Sequence, residues 1–511
     1  MNEEILALLQ KTGGVSDSQF GVGDAMSLSQ IQELSKALLA PESVDALYTD
    51  AGGVVTRQSL EGTLASLTLN TNDFTFWQDV NKTNARSTVH EFDQETGFGL
   101  SDGGFVDQIE NPEFRDPDFD KQIVIMKYMS EGWTVGDVEL QVDSIIERKA
   151  MNQRQAMKRL LRNLDMAMYR GNSAWVPKAI DGLEATIASQ SSDQVRDLRG
   201  GNLDMAVFNT SAQLITEGNG QPDNSRVYMS PAAVTNLHNI IEQSAEGQLV
   251  RKNTTMGAAG QTIGGNIGSI MTSFGTMQPR IDKLLGLSYE ARGVPVYYDK
   301  TTKSPKEGAT SEKAPSVPTV TLANNATATG SQFAASTTRP SGVKYNYRVA
   351  AMNEYGRSIA SVSVESSAAV AAGGAITLTI TPNQLDSGSK LPTCFEIYSE
   401  KVSGSGDFKY LHTVPVSSSN PLTAVTYQDK NDYIPGTARM FIVDQTTSGE
   451  SRCMAMSQLL PIHNTDLAKI GRFDQGLINL YIAPIYYKPN VLIEIRNIGI
   501  GQARQNIFNI V

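Results

Sequence analysis

Cysteine, histidine and tryptophan are scarce in this chain, whose 511 residues contain two cysteines, four histidines and three tryptophans. Cys394 and Cys453 are far apart in the sequence and form no CxxC motif or Cys/His cluster. This argues against a disulfide framework or a structural zinc site and favours a reducing compartment. No histidine has a partner at metal-ligand spacing. They lie in separate segments, at His90, His238, His412 and His463. We therefore expect no metal and no cofactor.

Long apolar runs are also missing. No stretch approaches the roughly 20 apolar residues that cross a bilayer. The first residues, Met1-Asn2-Glu3-Glu4, are acidic where a secretory signal would be basic. We expect synthesis in the cytoplasm and no membrane partner.

Basic residues are outnumbered, since 43 Lys and Arg stand against 54 Asp and Glu and give a formal net charge of -11. Proteins that bind nucleic acid need a basic surface that displaces counterions from phosphates. The balance therefore disfavours repressors, packaging motors and sequence-specific DNA binding. A chain of this length exceeds what one hydrophobic core usually supports, so two or three structural units are expected.

Residues 143–169 are predicted to form one long amphipathic helix. Apolar side chains recur at helical spacing and would form one buried stripe. They are Ile146, Ala150, Met157, Leu160, Leu161, Leu164 and Met168. The opposite side is expected to carry three acidic residues, Asp143, Glu147 and Asp165, and six basic ones. The basic residues are Arg148, Lys149, Arg154, Lys158, Arg159 and Arg162. Gly171-Asn172 is the predicted helix stop.

Residues 76–140 are polar and rich in glycine, and strand-like pieces at Ser87–Phe92 and Gln122–Met129 flank their middle. A connection this long without a helix is unusual inside a compact domain and is normally functional. Projecting hairpins are suited to reach onto another chain. A disordered surface loop is the alternative interpretation. The candidate subunit-contact residues of this loop are Phe98, Phe105, Asp116, Asp118 and Asp120.

The rest of the chain divides by composition. Residues 141–314 and 444–511 mix strands and helices, and residues 301–315 have the polar composition of a linker. Residues 315–443 alternate Val, Thr, Ser and Tyr with turn signals between, which predicts an all-β sandwich. Because buried-strand patterns return after residue 444, this sandwich is predicted to be an insertion and not a terminal appendage.

Three motifs resemble catalytic or ligand sites and fail on inspection. Ser101 lies in a G-x-S-x-G pattern, but no strand and helix flank it as a nucleophile elbow requires. Asp116, Asp118 and Asp120 begin like a calcium loop, yet Lys121 replaces its glycine. A solvated acidic turn is the favoured interpretation, with cation binding at a subunit contact as the alternative. The run from Gly260 to Gly265 begins like a P-loop and lacks the Lys-[Ser/Thr] pair.

The order of these segments resembles the major capsid proteins of tailed double-stranded DNA bacteriophages. The resemblance rests on the long helix behind a two-stranded excursion, on Met229-Ser230-Pro231 opening a helix, and on the later strand Gly293–Asp299. The segment Tyr345–Ser358 is similar to the penultimate strand of a fibronectin type III domain. The resemblance implies an α+β, Hong Kong 97-type capsid fold. Its parts would be an N-terminal arm (1–75), an extended loop (76–140), a spine helix, peripheral and axial domains, and an inserted immunoglobulin-like sandwich (315–443).

The function implied by this resemblance is assembly into hexamers and pentamers of an icosahedral head that encloses double-stranded DNA. Scaffold, portal and decoration proteins are the implied partners, the virion is the implied location, and no residue would be catalytic. The basic residues of the helix would meet acidic surfaces of neighbours or face the genome, whereas a solvated helix face is the simpler interpretation. Two other functions stay open: an encapsulin-like bacterial compartment and, more distantly, a carbohydrate-active enzyme with an accessory sandwich.

Overall fold

The computed structural model describes residue 69 and most of the chain between residues 73 and 500. Within that range it leaves out residues 100–104, 110, 112–113, 143–146, 244–267, 300, 384–388, 448 and 470. The predicted N-terminal arm therefore lies almost entirely outside the described residues, and so do Ser101 and the run from Gly260 to Gly265. The described residues form a mixed α+β structure, which confirms the predicted class.

One long helix dominates the helical part of the structure. The helices of the described residues are α1 (Thr75–Asp79), α2 (Asp137–Gln141), α3 (Arg148–Arg170), α4 (Leu183–Ala188), α5 (Met205–Glu217), α6 (Pro231–Gln243) and α7 (Lys283–Ser288). α3 has 23 residues and begins at Arg148, five residues after the predicted start. It ends at the predicted stop, where the backbone of Gly171 leaves the helical conformation (ψ 141°). Glycine is required there, because a Cβ atom would collide with the carbonyl oxygens of Ala167 and Ile180. Among the described residues, no helix combines the length and apolar character that a membrane span requires.

α3 packs on a four-stranded sheet. The order of its strands is β1 (Lys82–Asn84), β19 (Met454–Asp466), β20 (Phe473–Tyr486) and β4 (Lys127–Gly136). The apolar stripe of α3 is buried at Leu160, Leu164 and Met168, in one cluster with Trp133 and Leu480. Each such side chain contributes roughly 1.5–3 kcal/mol by leaving water. The predicted stripe is wrong at Ala150, which is exposed because α3 has only just begun there.

A six-stranded mixed sheet shares a second cluster of buried apolar residues with α5 and α6. Its order is β5 (Val195–Asp197), β21 (Ile493–Ile498), β18 (Ala438–Asp444), β6 (Ser225–Met229), β8 (Gly275–Ile281) and β7 (Ile270–Thr272). β18 pairs with both β6 and β21, and its Met440 and Ile442 are fully buried. The predicted end of the insertion at residue 443 is therefore wrong, because β18 completes this sheet.

A two-stranded antiparallel hairpin, β2 (Val89–Gly97) with β3 (Asp118–Ile125), leaves the four-stranded sheet. The predicted extended loop of residues 76–140 is too wide. α1 and β4, at its two ends, place Phe76 and Trp133 in the main core. The predicted single strand Gln122–Met129 is divided between β3 and β4 at Met126, which is buried. The projecting element, called the hairpin below, is residues 89–125.

Residues 319–429, called the all-β segment below, form two antiparallel sheets around one apolar cluster. The first sheet has the order β11 (Thr319–Asn325), β14 (Ala375–Thr381) and β17 (Val425–Asp429). The second has the order β13 (Val364–Glu365), β12 (Asn346–Met352), β15 (Cys394–Glu400) and β16 (Phe408–Pro415). A short ladder, β9 (Val296–Asp299) with β10 (Ser304–Glu307), precedes them, so the predicted linker of residues 301–315 contains a paired strand.

Candidate subunit-contact surfaces

Two of the six basic residues predicted on the helix surface hold α3 to its own sheet. Lys149 Nζ lies 3.1 Å from a carboxylate oxygen of Asp466 and 5.4 Å from the centre of the Trp133 ring. Arg159 donates to the carbonyl oxygen of Gly132 at 3.0 Å and lies 3.6 Å from the Glu131 carboxylate. Their cationic ends are therefore engaged within the subunit.

The other four basic residues divide by exposure. Arg148 and Arg154 are exposed, whereas Lys158 and Arg162 are half-buried. Burial lowers the pKa of Arg162, against the attraction of Glu131. Arg148 and Arg154 are thus the residues of this set that can reach a neighbouring molecule most easily.

Asp165 was predicted on the solvent side of the helix and is instead fully buried. One of its carboxylate oxygens accepts a hydrogen bond of 2.9 Å from the backbone N–H of Trp77 in α1. Burial, with the nearby Asp282 carboxylate, raises the pKa of Asp165 well above its usual value. The hydroxyl of Tyr169 donates to Asp282 at 2.6 Å in the same region. Asp165 therefore fixes α1 against α3 and is unavailable to a neighbour.

The hairpin has one face held against the body of the subunit. The side-chain amide of Gln94 donates to the carbonyl oxygen of Tyr487 at 2.6 Å, and the Phe92 ring lies 5.1 Å from the Tyr487 ring. Since side chains alternate along a strand, the next residues of β2 and β3 point the other way. The hairpin is therefore anchored on one side only.

The opposite face of the hairpin, called the outer face below, is exposed. Its apolar side chains Phe119, Ile123 and Ile125 on β3 keep 68%, 58% and 62% of their surface in contact with solvent. The facing row on β2 is acidic, with an ion pair of 3.0 Å between Glu91 and Lys121. The outer face comprises Val89, Glu91, Asp93, Glu95, Phe119, Lys121, Ile123 and Ile125.

Residues 98–117, called the tip below, connect the two hairpin strands. The predicted contact residues Phe98 and Phe105 are 78% and 104% exposed, and Ile109 and Phe114 are 96% and 89% exposed. Exposed apolar patches on soluble proteins usually mark a binding site. Phe98 and Phe105 are thus accessible, and so are Ile109 and Phe114, which sequence reasoning missed.

The predicted acidic turn is partly a strand. Asp118 and Asp120 lie in β3, and Asp116 precedes them; all three are exposed. A carboxylate oxygen of Asp120 accepts a hydrogen bond of 2.6 Å from the side-chain amide of Gln122. Among the described residues, no three His, Cys, Asp or Glu side chains are grouped to hold a metal ion.

A buried ionic centre was not predicted from the sequence. Glu396 of β15 is fully buried, and its carboxylate oxygens lie 2.6 Å from Arg292, 3.0 Å from Arg170 and 3.4 Å from Arg357. Burial alone would raise the pKa of Glu396, but the three guanidinium groups outweigh it and hold the pKa well below its usual range. These four residues are called the ionic centre below.

The ionic centre connects the end of α3 to the all-β segment. Arg170, the last residue of α3, also donates to the hydroxyl of Thr413 in β16 at 2.6 Å. Its guanidinium lies 4.0 Å from the centre of the Tyr410 ring. The only hint of the ionic centre in the sequence was a glutamate, Glu396, between apolar residues of a predicted strand. Such a glutamate does not reveal its ion-pair partners before the fold is known.

A cavity of about 250 Å³ opens beside the ionic centre. Its lining includes Arg170 and Arg292 together with the apolar Met166, Ala167 and Trp175. The indole of Trp175 lies 5.4 Å from the Arg170 guanidinium. The lining is thus mostly apolar, with two cationic side chains among it.

Comparison with known proteins supplies relatives of nearly full length. The chain is 24% identical over 482 residues to a protein of Enterococcus phage phiEF24C provisionally named its major capsid protein, covering 92% of this chain and 94% of the relative. It is 21% identical over 455 residues to the major capsid protein of Staphylococcus phage S25-3, covering 87% and 90%. The major capsid protein of Staphylococcus phage K shows the same identity and coverage. No protein-family model matches the chain.

Solved structures also resemble the chain. The capsid of a native GTA particle is 7% identical and covers 89% of this chain and 99% of its own, with a TM-score of 0.45. The encapsulin of the holo-SrpI complex from Synechococcus elongatus PCC 7942 is 9% identical and covers 91% and 98%, with a TM-score of 0.37. The similarity to phage major capsid proteins along nearly the whole chain confirms the prediction of a capsid shell protein.

Proposed function

We propose that this chain is the major capsid protein of a tailed double-stranded DNA phage and has the Hong Kong 97-type fold. In this proposal it assembles into hexamers and pentamers of an icosahedral head and has no catalytic residue. The observation that carries the proposal is the hairpin, whose outer face and tip expose apolar side chains that the subunit itself does not cover. Full-length similarity to phage capsid proteins supports it.

In this proposal the hairpin contacts a neighbouring subunit. Burial of one exposed Phe or Ile side chain contributes roughly 1.5–3 kcal/mol, so several such residues must be buried together to offset the entropy cost of association. The acidic row of β2, and Asp116, Asp118 and Asp120, would select a basic partner surface. Arg148 and Arg154 are exposed on α3 and offer such charges. Lys149, Lys158, Arg159 and Arg162 would act within the subunit.

The all-β segment is proposed to be the inserted immunoglobulin-like or fibronectin type III-like domain. Its two antiparallel sheets around a single apolar cluster support this. An outward position on the shell would let it brace neighbours or meet decoration proteins. The N-terminal arm would clasp a neighbour, and scaffold and portal proteins would be the other partners. The protein would be made in the host cytoplasm and reside in the virion.

The enclosed DNA would be held without sequence-specific contacts. With a net charge of -11, the subunit would not adhere strongly to packed nucleic acid. An encapsulin-like bacterial compartment, which the sequence analysis left open, is the second candidate. The sequence relatives favour the phage shell.

Negative-stain electron microscopy of the protein, expressed alone and with its neighbouring genes, tests this proposal. Closed shells or uniform hexamers and pentamers are the expected result. DNA inside shells made with the neighbouring genes would favour the phage head, and an enzyme cargo would favour the compartment. A protein that stays monomeric under all these conditions would contradict the proposal.

A further inference from the structure

We infer that the cavity at the end of α3 is the receptor for the hairpin tip of a second copy of this chain, and that Phe105 enters it. The inference rests on the proposed function, because it names the site on the neighbour that the hairpin grasps. Three observations carry it: the size and apolar lining of the cavity, the charge of the ionic centre beside it, and the composition of the tip.

The cavity has the size and lining of an aromatic binding site. A cavity of 150 Å³ lined by apolar side chains is large enough to bind benzene, and this cavity measures about 250 Å³. Met166, Ala167, Val176 and Ala179 line it together with Trp175. A phenyl ring placed there would contact aliphatic walls and the indole ring, both favourable surroundings for an aromatic side chain.

The ionic centre beside the cavity carries excess positive charge. The ionic centre contains three guanidinium groups and one carboxylate, which leaves a net charge of +2 on those four residues. Arg170 is nine-tenths buried, and its Nε atom and that of Arg292 are buried without a hydrogen-bond partner. A carboxylate arriving beside the cavity would offset this excess, and a ring entering it would gain a cation–π contact.

The tip has the complementary composition. Residues 98–117 contain five acidic residues and one arginine, a net charge of -4. Phe105 is the most exposed of the large apolar residues described, and Asp107 follows two residues later. One short segment thus carries an aromatic ring and, two residues later, a carboxylate, which matches an apolar cavity with arginines in its lining.

We place the receiving cavity on a second copy of this chain because the exposed apolar residues of the hairpin need a partner surface. In a shell, the neighbouring molecules are identical subunits. Insertion of a side chain into a pocket elsewhere on the molecule is a heterologous contact, the kind that closes rings. Hexamers and pentamers are such rings. A small anion or an unrelated protein in the cavity would be a different occupant, and the test separates these.

The test uses the full chain carrying Phe105→Cys together with Val176→Cys at the edge of the cavity. The native Cys394 and Cys453 are free and buried, so they contribute little background to cross-linking under native conditions. Mild oxidation of assembled particles is expected to give covalent oligomers between chains. The control pairs Phe105→Cys with Thr321→Cys, an exposed position on the all-β segment, and should give far less product.

Two single variants complete the test. Ala179→Leu fills the cavity and Phe105→Ser removes the ring, and each should raise the concentration needed for assembly about tenfold or more. Neither should change the thermal unfolding of the unassembled subunit by more than a degree or two. Phosphate alone should not restore assembly of Phe105→Ser, whereas restoration would indicate an anion site.

The outcomes separate the two proposals. If the wild-type chain forms shells but particles of the Phe105→Cys, Val176→Cys chain give no 105–176 cross-link between chains, or give one only inside a chain, this inference is overturned and the capsid function stays intact. A wild-type chain that never assembles would overturn both.

Discussion

The hairpin and the all-β segment both leave the central body of the subunit, but they are stabilised in different ways. The all-β segment has its own apolar cluster, in which Phe395 and Ile397 are fully buried. The described residues of the hairpin form two strands and no apolar cluster of their own, and Phe119 remains 68% exposed. Isolated two-stranded hairpins are marginal in water. The comparison teaches that the all-β segment can be stable within one chain, whereas the outer face of the hairpin is left uncovered by its own subunit, as the proposed contact with a neighbour requires.

The same substitution in the two regions should therefore have opposite consequences. Phe395→Ala removes a fully buried ring and should lower the free energy of unfolding by about 3–5 kcal/mol. Phe119→Ala removes an exposed ring and should change it by less than about 0.5 kcal/mol while impairing assembly. Urea unfolding of unassembled subunits and sedimentation of assembled ones measure the two effects. Equal losses of stability would break the comparison.

The ionic centre gives a second difference between the two regions. Its buried ion pairs connect the all-β segment to α3, whereas the ion pair of the hairpin between Glu91 and Lys121 is exposed. Glu396→Gln would leave three guanidinium groups buried with no carboxylate between them, at a cost of about 3–5 kcal/mol. Glu365→Gln is the matched control, since Glu365 forms an exposed pair of 3.3 Å with Lys344. It should cost less than about 1 kcal/mol. Thermal unfolding of both variants gives the answer, and a mild effect at position 396 would show that the contact is dispensable.

A pH effect is expected in the body of the subunit and not in the hairpin. Burial raises the pKa of Glu290 to about 7, although Ser230 donates a hydrogen bond of 2.7 Å to its carboxylate. As pH rises from about 4.5, the unfolded chain releases this proton while the folded chain retains it up to about pH 7. Stability should therefore fall across this window, by at most about 3 kcal/mol from this group.

Glu290→Gln should flatten part of that pH dependence. The pKa of Asp282 is raised to about 6 and that of Glu494 to about 7, so both work in the same direction and a residual slope should remain. Melting temperatures of the wild type and the variant between pH 5 and pH 8 measure the difference. The account fails here if the two curves stay parallel. Glu365→Gln again serves as the exposed control.

The smallest effect is expected at the ion pair between Lys149 and Asp466, which is half open to solvent. Lys149→Gln should cost no more than about 1 kcal/mol, and less at high salt. Arg154→Gln on the same helix changes the net charge equally at an exposed position and serves as the control. Chemical denaturation at low and high salt compares them. If Lys149→Gln lowered the free energy of unfolding by several kcal/mol, this ion pair could not be the weak surface contact described here.

Local patterns predicted much of this fold. The long helix α3 and the all-β character of residues 319–429 follow from periodicity, and the helix stop follows from Gly171-Asn172. Boundaries that depend on long-range pairing were wrong. Whether β18 belonged to the insertion or to the six-stranded sheet was decided by its partners β6 and β21, which are far away in the sequence.

The candidate contact residues were also predicted only in part, because local patterns do not show which distant residues a side chain meets. Phe98 and Phe105 could be suspected because an extended glycine-rich loop has little core to bury them in. Asp165 was placed on the wrong side of the helix, because its amide partner at Trp77 lies 88 residues earlier. The ionic centre joins residues 170, 292, 357 and 396, and no local pattern connects them.

Hydrogen exchange of the hairpin before and after assembly tests the central claim most directly. In unassembled subunits the amides of β2 and β3 should exchange readily, while those of β12 and β15 are protected. In assembled particles exchange in the hairpin should slow by about tenfold or more, with little change in β12 and β15. Hairpin amides equally protected in both states would contradict the claim that a second copy completes this part of the fold.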